Sequence, residues 1–274
     1  MLVSLQTFAT DNKYGLKDNI QDGVILHCFD WTYAQIKEEL PNIAAAGFSA
    51  VQTSPAHPRE PVGAAWYMLY QPYDYKVGEN GLGTKEGLTE LCTEAHQYGV
   101  KIIVDVVANH TNGSLSYVAS FWQDKSLYHD YQGGIDYSNR WQVTHGRLGM
   151  WDLKTEDSRV QEKIKEYVAE LKSCGVDGIR WDAAKHIGLP SEGDTFWQNV
   201  PDQTMYNYGE ILDGTGGDDT VSEKVEVVSQ TTGVQLHPVA GESSAKAMIY
   251  NLQGQRVDAN YRGVVVCNGR KYVQ

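Results

Sequence analysis

The chain has 274 residues, of which 41% are hydrophobic and 21% are charged, a composition typical of a globular protein. Its formal net charge of −12 argues against nucleic acid or an anionic membrane surface as a partner, because both require a cationic face. No apolar run approaches the roughly 20 residues of a membrane span, and the first stretch, MLVSLQTFAT, lacks the features of a signal peptide. The cysteines are far apart in the sequence, so we interpret them as free thiols.

Strand-like and helix-like stretches alternate along the first 110 residues. Residues 24–31 and 49–56 are predicted strands, and residues 33–47 and 84–99 are predicted helices with apolar side chains at helical spacing. The stretch 101–110, KIIVDVVANH, is nearly all apolar, as expected of a strand buried on both faces. This order predicts a parallel α/β sheet.

Residues 111–151 interrupt the alternation. They are polar, aromatic and rich in glycine, and the stretch is too long for an ordinary connection. We therefore predict an inserted subdomain. After it, residues 158–175 form a predicted amphipathic helix, and residues 176–184 and 206–212 are the fourth and fifth predicted strands.

Polar residues collect where these strands end, at Asn109, His110, Asp182 and Glu210. A (β/α)8 barrel builds its active site at that end of its strands. A doubly wound sheet does so too, but it usually carries a glycine-rich phosphate loop, which this sequence lacks. The predicted fold is therefore α/β, an incomplete (β/α)8 barrel of five strands.

From about residue 214 the alternation stops. Residues 246–257 and 263–274 are predicted as two strands with a turn between them, forming a small C-terminal β appendage. The predicted division of the chain is barrel strands one to three in 1–110, the inserted subdomain in 111–151, barrel strands four and five in 152–215, and a tail with a β hairpin in 216–274.

Three motifs carry candidate chemistry. DVVANH places Asp105 on a buried strand, GIRWDAAKH places Arg180 and Asp182 on the same side of one strand, and GEIL places Glu210 at a strand end. Each motif alone has a structural alternative: polar residues that make turns, a buried ion pair, and a solvated carboxylate. An arginine and an aspartate inside a barrel are costly unless they are paired or used.

Together these motifs resemble the conserved regions of bacterial-type α-amylases of glycoside hydrolase family 13. DVVANH is similar to the first region, GIRWDAAKH to the second and GEIL to the third, and WYMLYQP and MWDLKTED match further stretches. The resemblance covers residues 20–215. It implies a catalytic barrel with a B subdomain after strand three, an α-glucan substrate such as starch or maltooligosaccharides, and an extracellular, cell-surface or periplasmic location.

The resemblance also implies residue roles. Asp182 is then the nucleophile and Glu210 the general acid/base of a retaining mechanism, whose two carboxylates lie about 5–5.5 Å apart. Arg180 is expected to favour the ionised form of Asp182 by Coulomb attraction. Tyr70 is expected to stack on a sugar ring, whereas Trp66 is interpreted as a packing residue. The implied sugar-contacting residues are Tyr67, Tyr70, Gln71, His110, Arg180, Lys185 and His186.

A structural calcium ion between barrel and inserted subdomain is a further implication of the resemblance. Its implied ligands are Asn109, Thr144, Asp152 and the carbonyl of His186. Calcium binds six to eight oxygen atoms in flexible geometry, so a mixture of side-chain and carbonyl oxygens suits it.

The family's fourth region, which carries a third catalytic carboxylate beside a histidine, has no match. Asp218 and Asp219 lack a neighbouring histidine, and His237 lacks a following aspartate. We therefore expect an internally truncated amylase without barrel strands six to eight. The exposed sheet edge would need a cover, either the tail hairpin or a second copy of the chain in a homo-oligomer.

Two functions from different classes remain open at this point. One is endo-acting hydrolysis of α-1,4-glucosidic bonds, weakened by the missing carboxylate. The other is a catalytically dead remnant that binds glucans. In a variant of the first, a partner chain restores the third carboxylate.

Overall fold

A computed structural model describes residues 13–59, 65–78, 80–131 and 133–211, together with the backbone of four short strands between 249 and 273. Seven strands precede the tail: β1 (Ile25–Cys28), β2 (Ala50–Thr53), β3 (Lys101–Val107), β4 (His110–Thr111), β5 (Trp151–Asp152), β6 (Gly178–Asp182) and β7 (Tyr206–Gly209).

Five of these strands form one sheet in the order β1-β2-β3-β6-β7. Every neighbouring pair in this sheet is parallel. This confirms the predicted α/β fold with five strands of an incomplete barrel. The first strand is shorter than predicted and ends at Cys28, because the backbone turns at Asp30, which has a φ of 61°.

Five α-helices accompany the strands: α1 (Tyr33–Ala45), α2 (Lys85–Gln97), α3 (Arg140–His145), α4 (Ser158–Ser173) and α5 (Phe196–Asn199). The three long ones begin at side-chain caps, which are Thr32 for α1, Thr84 for α2 and Asp157 for α4. Such caps satisfy backbone N–H groups that have no partner inside the helix. Within the described residues, none of the helices combines the length and hydrophobicity needed to span a bilayer.

The main hydrophobic core lies between the sheet and the long helices. Val104, Ile179 and Trp181 from the strands are buried there together with Ile36 of α1 and Ile164 of α4. The opposite face of the sheet, here called the inner face, carries a smaller cluster of Ile20, Ala50 and Ile103 with Ile25, Tyr206 and Tyr208 packed against it. Burial on both faces explains why β3 is almost entirely apolar.

The inner face turns polar toward the carboxyl ends of the strands. Side chains alternate along a strand, so Asp105 follows Ile103 on the inner face of β3. The strand register pairs Asp105 with Arg180 of β6 and Arg180 with Tyr208 of β7. The sequence alternation therefore brings a charged pair to the interior of the sheet.

Strands β4 and β5 form a separate antiparallel ribbon in which His110 pairs with Asp152. The segment between them leaves the sheet after β3 and returns before α4. It has its own buried aromatic residues, Trp122 and Tyr128. The division of the chain into four domains stays a prediction.

The tail differs from the predicted single hairpin of two strands. Its described residues form four strands, β8 (Ile249–Asn251), β9 (Arg256–Val257), β10 (Val264–Cys267) and β11 (Arg270–Val273), in an antiparallel sheet of order β11-β10-β8-β9. Each of the two predicted strands therefore consists of two shorter strands, β8 and β9 in the first and β10 and β11 in the second. The dipeptide Asn268-Gly269 between β10 and β11 is typical of a hairpin turn, and this signal was missed. The four strands pair with one another and not with the edge of the five-stranded sheet.

Gly175 connects α4 to β6 and allows a test of how closely the helices pack behind the site. Its φ is 96°, and a Cβ added there would lie 3.0 Å from the Cβ of Cys92 in α2. Gly193 has a similar φ of 94° with open space around it. Gly193→Ala should lower the free energy of unfolding by about 1–2 kcal/mol, the cost of a left-handed non-glycine residue. Gly175→Ala should lower the free energy of unfolding by about 1–3 kcal/mol more than Gly193→Ala does, because its added methyl group overpacks against Cys92. Urea unfolding measures both, and equal losses would contradict the close contact.

Candidate active site

A cavity of about 430 Å³ lies at the carboxyl ends of the sheet strands. Its floor is formed by His27 of β1, Arg180 and Asp182 of β6, and Glu210, which directly follows β7. The two carboxylates predicted to be catalytic therefore share one cavity. Its walls are completed by Phe29, Trp66, Tyr70, His110, Tyr137, Leu148, Met150, Ala183, Lys185 and His186.

The guanidinium of Arg180 contacts three carboxylates. Its Nη1 lies 2.7 and 2.8 Å from the two oxygens of Asp105 and 2.9 Å from Oδ1 of Asp182. Its Nη2 lies 2.7 Å from Oε1 of Glu210. The Arg180 side chain is only 13% exposed, so these contacts are largely shielded from solvent and are stronger than surface pairs.

One guanidinium cannot neutralise three carboxylates, and the pKa values reflect this. Burial raises the pKa of Asp182 well above its usual range, and the nearby Asp105 charge raises it further, while Arg180 lowers it. Burial likewise raises the pKa of Asp105 against the attraction of Arg180. The attraction of Arg180 favours the ionised form of Asp182, as expected, but burial and the like charge of Asp105 outweigh it and leave the pKa of Asp182 raised.

Asp105 anchors the guanidinium from behind. It is fully buried and does not line the cavity. The hydroxyl of Tyr70 donates a hydrogen bond to Asp105 Oδ2 at 2.9 Å. Tyr70 in turn stacks on Phe29, with ring centroids 6.2 Å apart. The aromatic wall and the charged floor are thus directly connected.

Glu210 is held on three sides by residues of β6 and its turn. Its backbone N–H donates to the carbonyl of Trp181 at 2.8 Å, and its Oε2 accepts from the N–H of Ala183 at 3.2 Å. Ala183 has a φ of 49°, a left-handed conformation that costs a non-glycine residue about 1–3 kcal/mol. This turn directs the Ala183 N–H toward the carboxylate.

Histidines in the cavity are neutral near pH 7. Burial lowers the pKa of His27 and of His110 to about 4, and burial also lowers the pKa of His186. His110 donates from Nε2 to the carbonyl of Tyr70 at 3.0 Å, and His186 donates from Nδ1 to the carbonyl of Val143 at 2.8 Å. The buried Nε2 of His27 has no hydrogen-bond partner within the described part of the chain.

Lys185 is buried in the cavity wall, with its Nζ 5.3 Å from the centre of the Tyr137 ring. The turn that carries it is fixed by Arg140 of α3, whose guanidinium donates to the carbonyls of Lys185 and Ile187. Helix α3 of the inserted segment therefore positions one side of the cavity.

Two of the predicted sugar-contacting residues lie outside the cavity wall. Tyr67 is half exposed and contacts the edge of Trp66, with ring centroids 6.0 Å apart. Gln71 accepts a hydrogen bond from Asn112 at 3.3 Å. Trp66, interpreted from the sequence as packing, is 53% exposed and lines the cavity.

The sequence analysis also missed His27, Phe29 and Tyr137. For His27 a signal was present, because it is a polar residue at an inner-face position of an otherwise apolar strand. No comparable signal marks Tyr137, which reaches the cavity from the inserted segment.

Of the predicted calcium ligands, Asn109 and Asp152 contact each other and form a second polar cluster beside the cavity. Asn109 and Asp152 are fully buried, and the amide of Asn109 donates to Asp152 Oδ1 at 3.1 Å. The Thr144 hydroxyl lies 2.9 Å from Nδ1 of His145, whose ring contacts that of His129 in a tilted arrangement with centroids 4.1 Å apart. In the described residues, no three His, Cys, Asp or Glu side chains are grouped so as to hold a metal ion.

An imidazolium occupies the acidic side of this cluster. His129 lies 2.6 Å from Asp152 and 3.2 Å from Glu156. Burial alone would lower the pKa of His129, but the hydrogen bonds with these two carboxylates outweigh it and raise the pKa to about 9. Burial raises the pKa of Asp152 to about 6, against the hydrogen bonds from His129 and Asn109. At pH 7 a cation therefore already faces Asp152.

Comparison with known proteins places this site in a family. Residues 30–263 match the family "Alpha amylase, catalytic domain". The chain is 40% identical over 229 residues to an alpha-amylase of Clostridium acetobutylicum, covering 76% of this chain and 30% of that protein. It is 32% identical over 246 residues to an alpha-amylase of Butyrivibrio fibrisolvens, covering 75% of this chain and 25% of that protein. The chain thus spans less than a third of the length of these relatives.

Solved structures agree with the fold. Alpha-amylase I of Eisenia fetida superposes with a TM-score of 0.62 at 24% identity, over 74% of this chain and 48% of that chain. An alpha-amylase of Malbranchea cinnamomea gives a TM-score of 0.60 at 26% identity, over 72% and 49% of the two chains. With the match of residues 30–263, these comparisons show that the chain belongs to the alpha-amylase catalytic-domain family.

Proposed function

We propose that this chain hydrolyses internal α-1,4-glucosidic bonds of starch or related glucans by a retaining double displacement. The observation that carries the proposal is the pairing of Asp182 and Glu210 in one cavity, on the two terminal nitrogens of Arg180. Two carboxylates beside one bond are the requirement of retaining glycoside hydrolysis. Membership of the alpha-amylase family supports the substrate class.

In this mechanism Asp182 attacks the anomeric carbon while Glu210 donates a proton to the leaving oxygen. Glu210 then removes a proton from the water that releases the sugar from Asp182. Arg180, which contacts both carboxylates, favours the ionised form of Asp182, and the Ala183 N–H fixes the orientation of Glu210. Because Asp182 must be ionised to attack, its raised pKa restricts the reaction at low pH.

The cavity suits a neutral polyhydroxyl ligand. Its histidines are uncharged at pH 7, so they offer hydrogen bonds without attracting anions. Tyr70 and the exposed Trp66 provide aromatic faces for sugar rings. Tyr67 and Gln71, beside this wall, are proposed as contacts for outer sugar units.

Among the described residues, the carboxylates lining the cavity are Asp182 and Glu210. Asp105 is buried behind Arg180 and cannot take the place of a third catalytic carboxylate. Loss of one group from a concerted site lowers kcat by orders of magnitude but leaves residual catalysis. We therefore propose a slow enzyme.

A glucan-binding protein without turnover is the second candidate. It is favoured by the number of carboxylates that line the described cavity, which is two, whereas the mechanism implied by the resemblance uses three. Binding of a glucan would need only the aromatic wall and the neutral histidines. An extracellular, cell-surface or periplasmic location and self-association into a homo-oligomer stay predictions.

Calcium is proposed as a structural ion at the cluster of Asn109 and Asp152. Both side chains are buried and bring oxygen atoms to the junction of β3 and the β4–β5 ribbon. Thr144 and the carbonyl of His186 are the further proposed ligands. The donor set is all oxygen, as calcium prefers, and the contact of buried Asp152 with His129 supports a position that accepts a positively charged partner. When bound, the ion supplies a link between the sheet and the inserted segment.

The catalytic assignment is tested with Asp182→Asn and Glu210→Gln. Each should reduce the release of reducing sugar from soluble starch by about a thousand-fold or more, and the double variant should be no worse than the stronger single one, because the two groups act in one concerted site. Glu166→Gln, an exposed position on α4 paired with Lys163, should match the wild type. If the glucan in an affinity gel retards the migration of the wild-type protein, but the protein releases no sugar, the binding function is favoured.

The raised pKa of Asp182 sets the expected pH dependence. The nucleophile loses its charge as pH falls through a pKa that burial and Asp105 have raised. The acidic limb of kcat/KM should therefore lie well above the ordinary aspartate pKa of about 3.9. Initial rates on soluble starch across the pH range measure it, with circular dichroism to confirm that the protein stays folded. An acidic limb near pH 4 would contradict the assignment.

Calcium binding is tested by direct titration of chelator-treated protein. Calorimetry should show one site, and calcium should raise the melting temperature because binding stabilises the folded state. Asp152→Asn should abolish the heat signal, whereas Asp124→Asn, an exposed aspartate paired with Arg159, should retain it. A melting temperature that calcium leaves unchanged would rule out the proposed site.

A further inference from the structure

One hydrogen bond crosses the inner face of the sheet from side to side. The hydroxyl of Tyr208 on β7 donates to Oε1 of Gln52 on β2. In the sheet order, β3 and β6 lie between these strands. A side chain can only bridge two intervening strands if the sheet is strongly curved, so this bond joins the two walls of the curved inner face.

The acceptor of this bond is buried. Gln52 is 7% exposed, and a buried carbonyl oxygen needs a partner to offset its lost hydration. Burial also raises the pKa of Tyr208, so its hydroxyl keeps its proton and remains a donor. The bond therefore joins a protonated donor to a buried acceptor.

The position of Tyr208 links it to Glu210. The two residues are two positions apart, so their side chains lie on the same face of the strand. Among the described strands, β7 pairs with β6 alone. The hydrogen bonds and ion pair of Glu210 given above come from Arg180, Trp181 and Ala183, all in β6 or its turn. Gln52 contacts β7 from the opposite wall of the inner face, through its hydrogen bond with Tyr208.

We propose that the Tyr208–Gln52 hydrogen bond positions Glu210 for catalysis by fixing the distance between β7 and the opposite wall of the inner face. This role rests on the proposed hydrolase function. Tyr208 is a positioning residue, since it does not line the cavity. Small displacements of a catalytic group are enough to reduce rates strongly.

The kinetic test removes the hydroxyl with Tyr208→Phe. On soluble starch kcat should fall about 10- to 100-fold, the order expected for a displacement near 1 Å, with KM changed less than about two-fold. On an aryl maltooside with a dinitrophenolate leaving group, which departs without protonation, the first step should be nearly unchanged. Equal losses on both substrates would overturn the proposal, because a general loss of structure does not distinguish leaving groups.

Further variants separate the bond from other effects. Gln52→Leu should reproduce the kcat loss of Tyr208→Phe, and the double variant should be no slower than either single one, because they remove the same interaction. Tyr117→Phe, which removes a hydroxyl from an exposed tyrosine of the inserted segment, should leave kcat unchanged. Multiplying losses in the double variant would contradict a shared role.

Amide hydrogen exchange gives a readout that needs no activity. In Tyr208→Phe the β7 amides should exchange at least ten-fold faster, while the β3 amides keep their wild-type protection. If the wild type has no hydrolase activity but the β7 amides of Tyr208→Phe lose protection, the hydrolase proposal fails and the stabilisation of β7 by the Tyr208–Gln52 hydrogen bond is supported. If the β7 amides of Tyr208→Phe keep their wild-type protection, the proposed role of this hydrogen bond is wrong whatever the activity.

Discussion

The guanidinium of Arg180 is the interaction on which this site depends. It gathers Asp105, Asp182 and Glu210 from three neighbouring strands at the carboxyl end of the sheet. Taking three carboxylates out of water is costly, and one cation offsets only part of that cost. Burial, together with the remaining repulsion from Asp105, therefore raises the pKa of Asp182. The same arrangement that assembles the carboxylates therefore also limits how many of them are ionised at once.

Much of the fold follows from local sequence signals. The run from Lys101 to Val107 could only be a strand buried on both faces, and caps such as Thr32 and Thr84 mark where helices begin. Alternation along β6 correctly predicts that Arg180 and Asp182 share a face. The tail was misjudged because its strands are only two to four residues long, too short for alternation to show a boundary.

The site was harder to predict than the fold, because its walls come from segments that are distant in sequence. Tyr137 and Trp66 reach the cavity through the packing of the inserted segment and of a short 3-10 helix, Trp66–Tyr70. Residue identity alone gives no measure of that packing. The raised pKa of Asp182 is hard to anticipate for a related reason. The attraction of Arg180 can be inferred from the sequence, whereas the burial of Asp182 and the nearby charge of Asp105 are properties of the assembled sheet.

The β4–β5 ribbon has a consequence for how the inserted segment behaves. Asn109 contacts the buried Asp152, and the next residue, His110, lines the cavity and pairs with Asp152 in the ribbon. One peptide bond therefore separates the cavity wall from the buried polar cluster of Asn109 and Asp152. A displacement of the β4–β5 ribbon would therefore move both locations together, because they share one stretch of backbone.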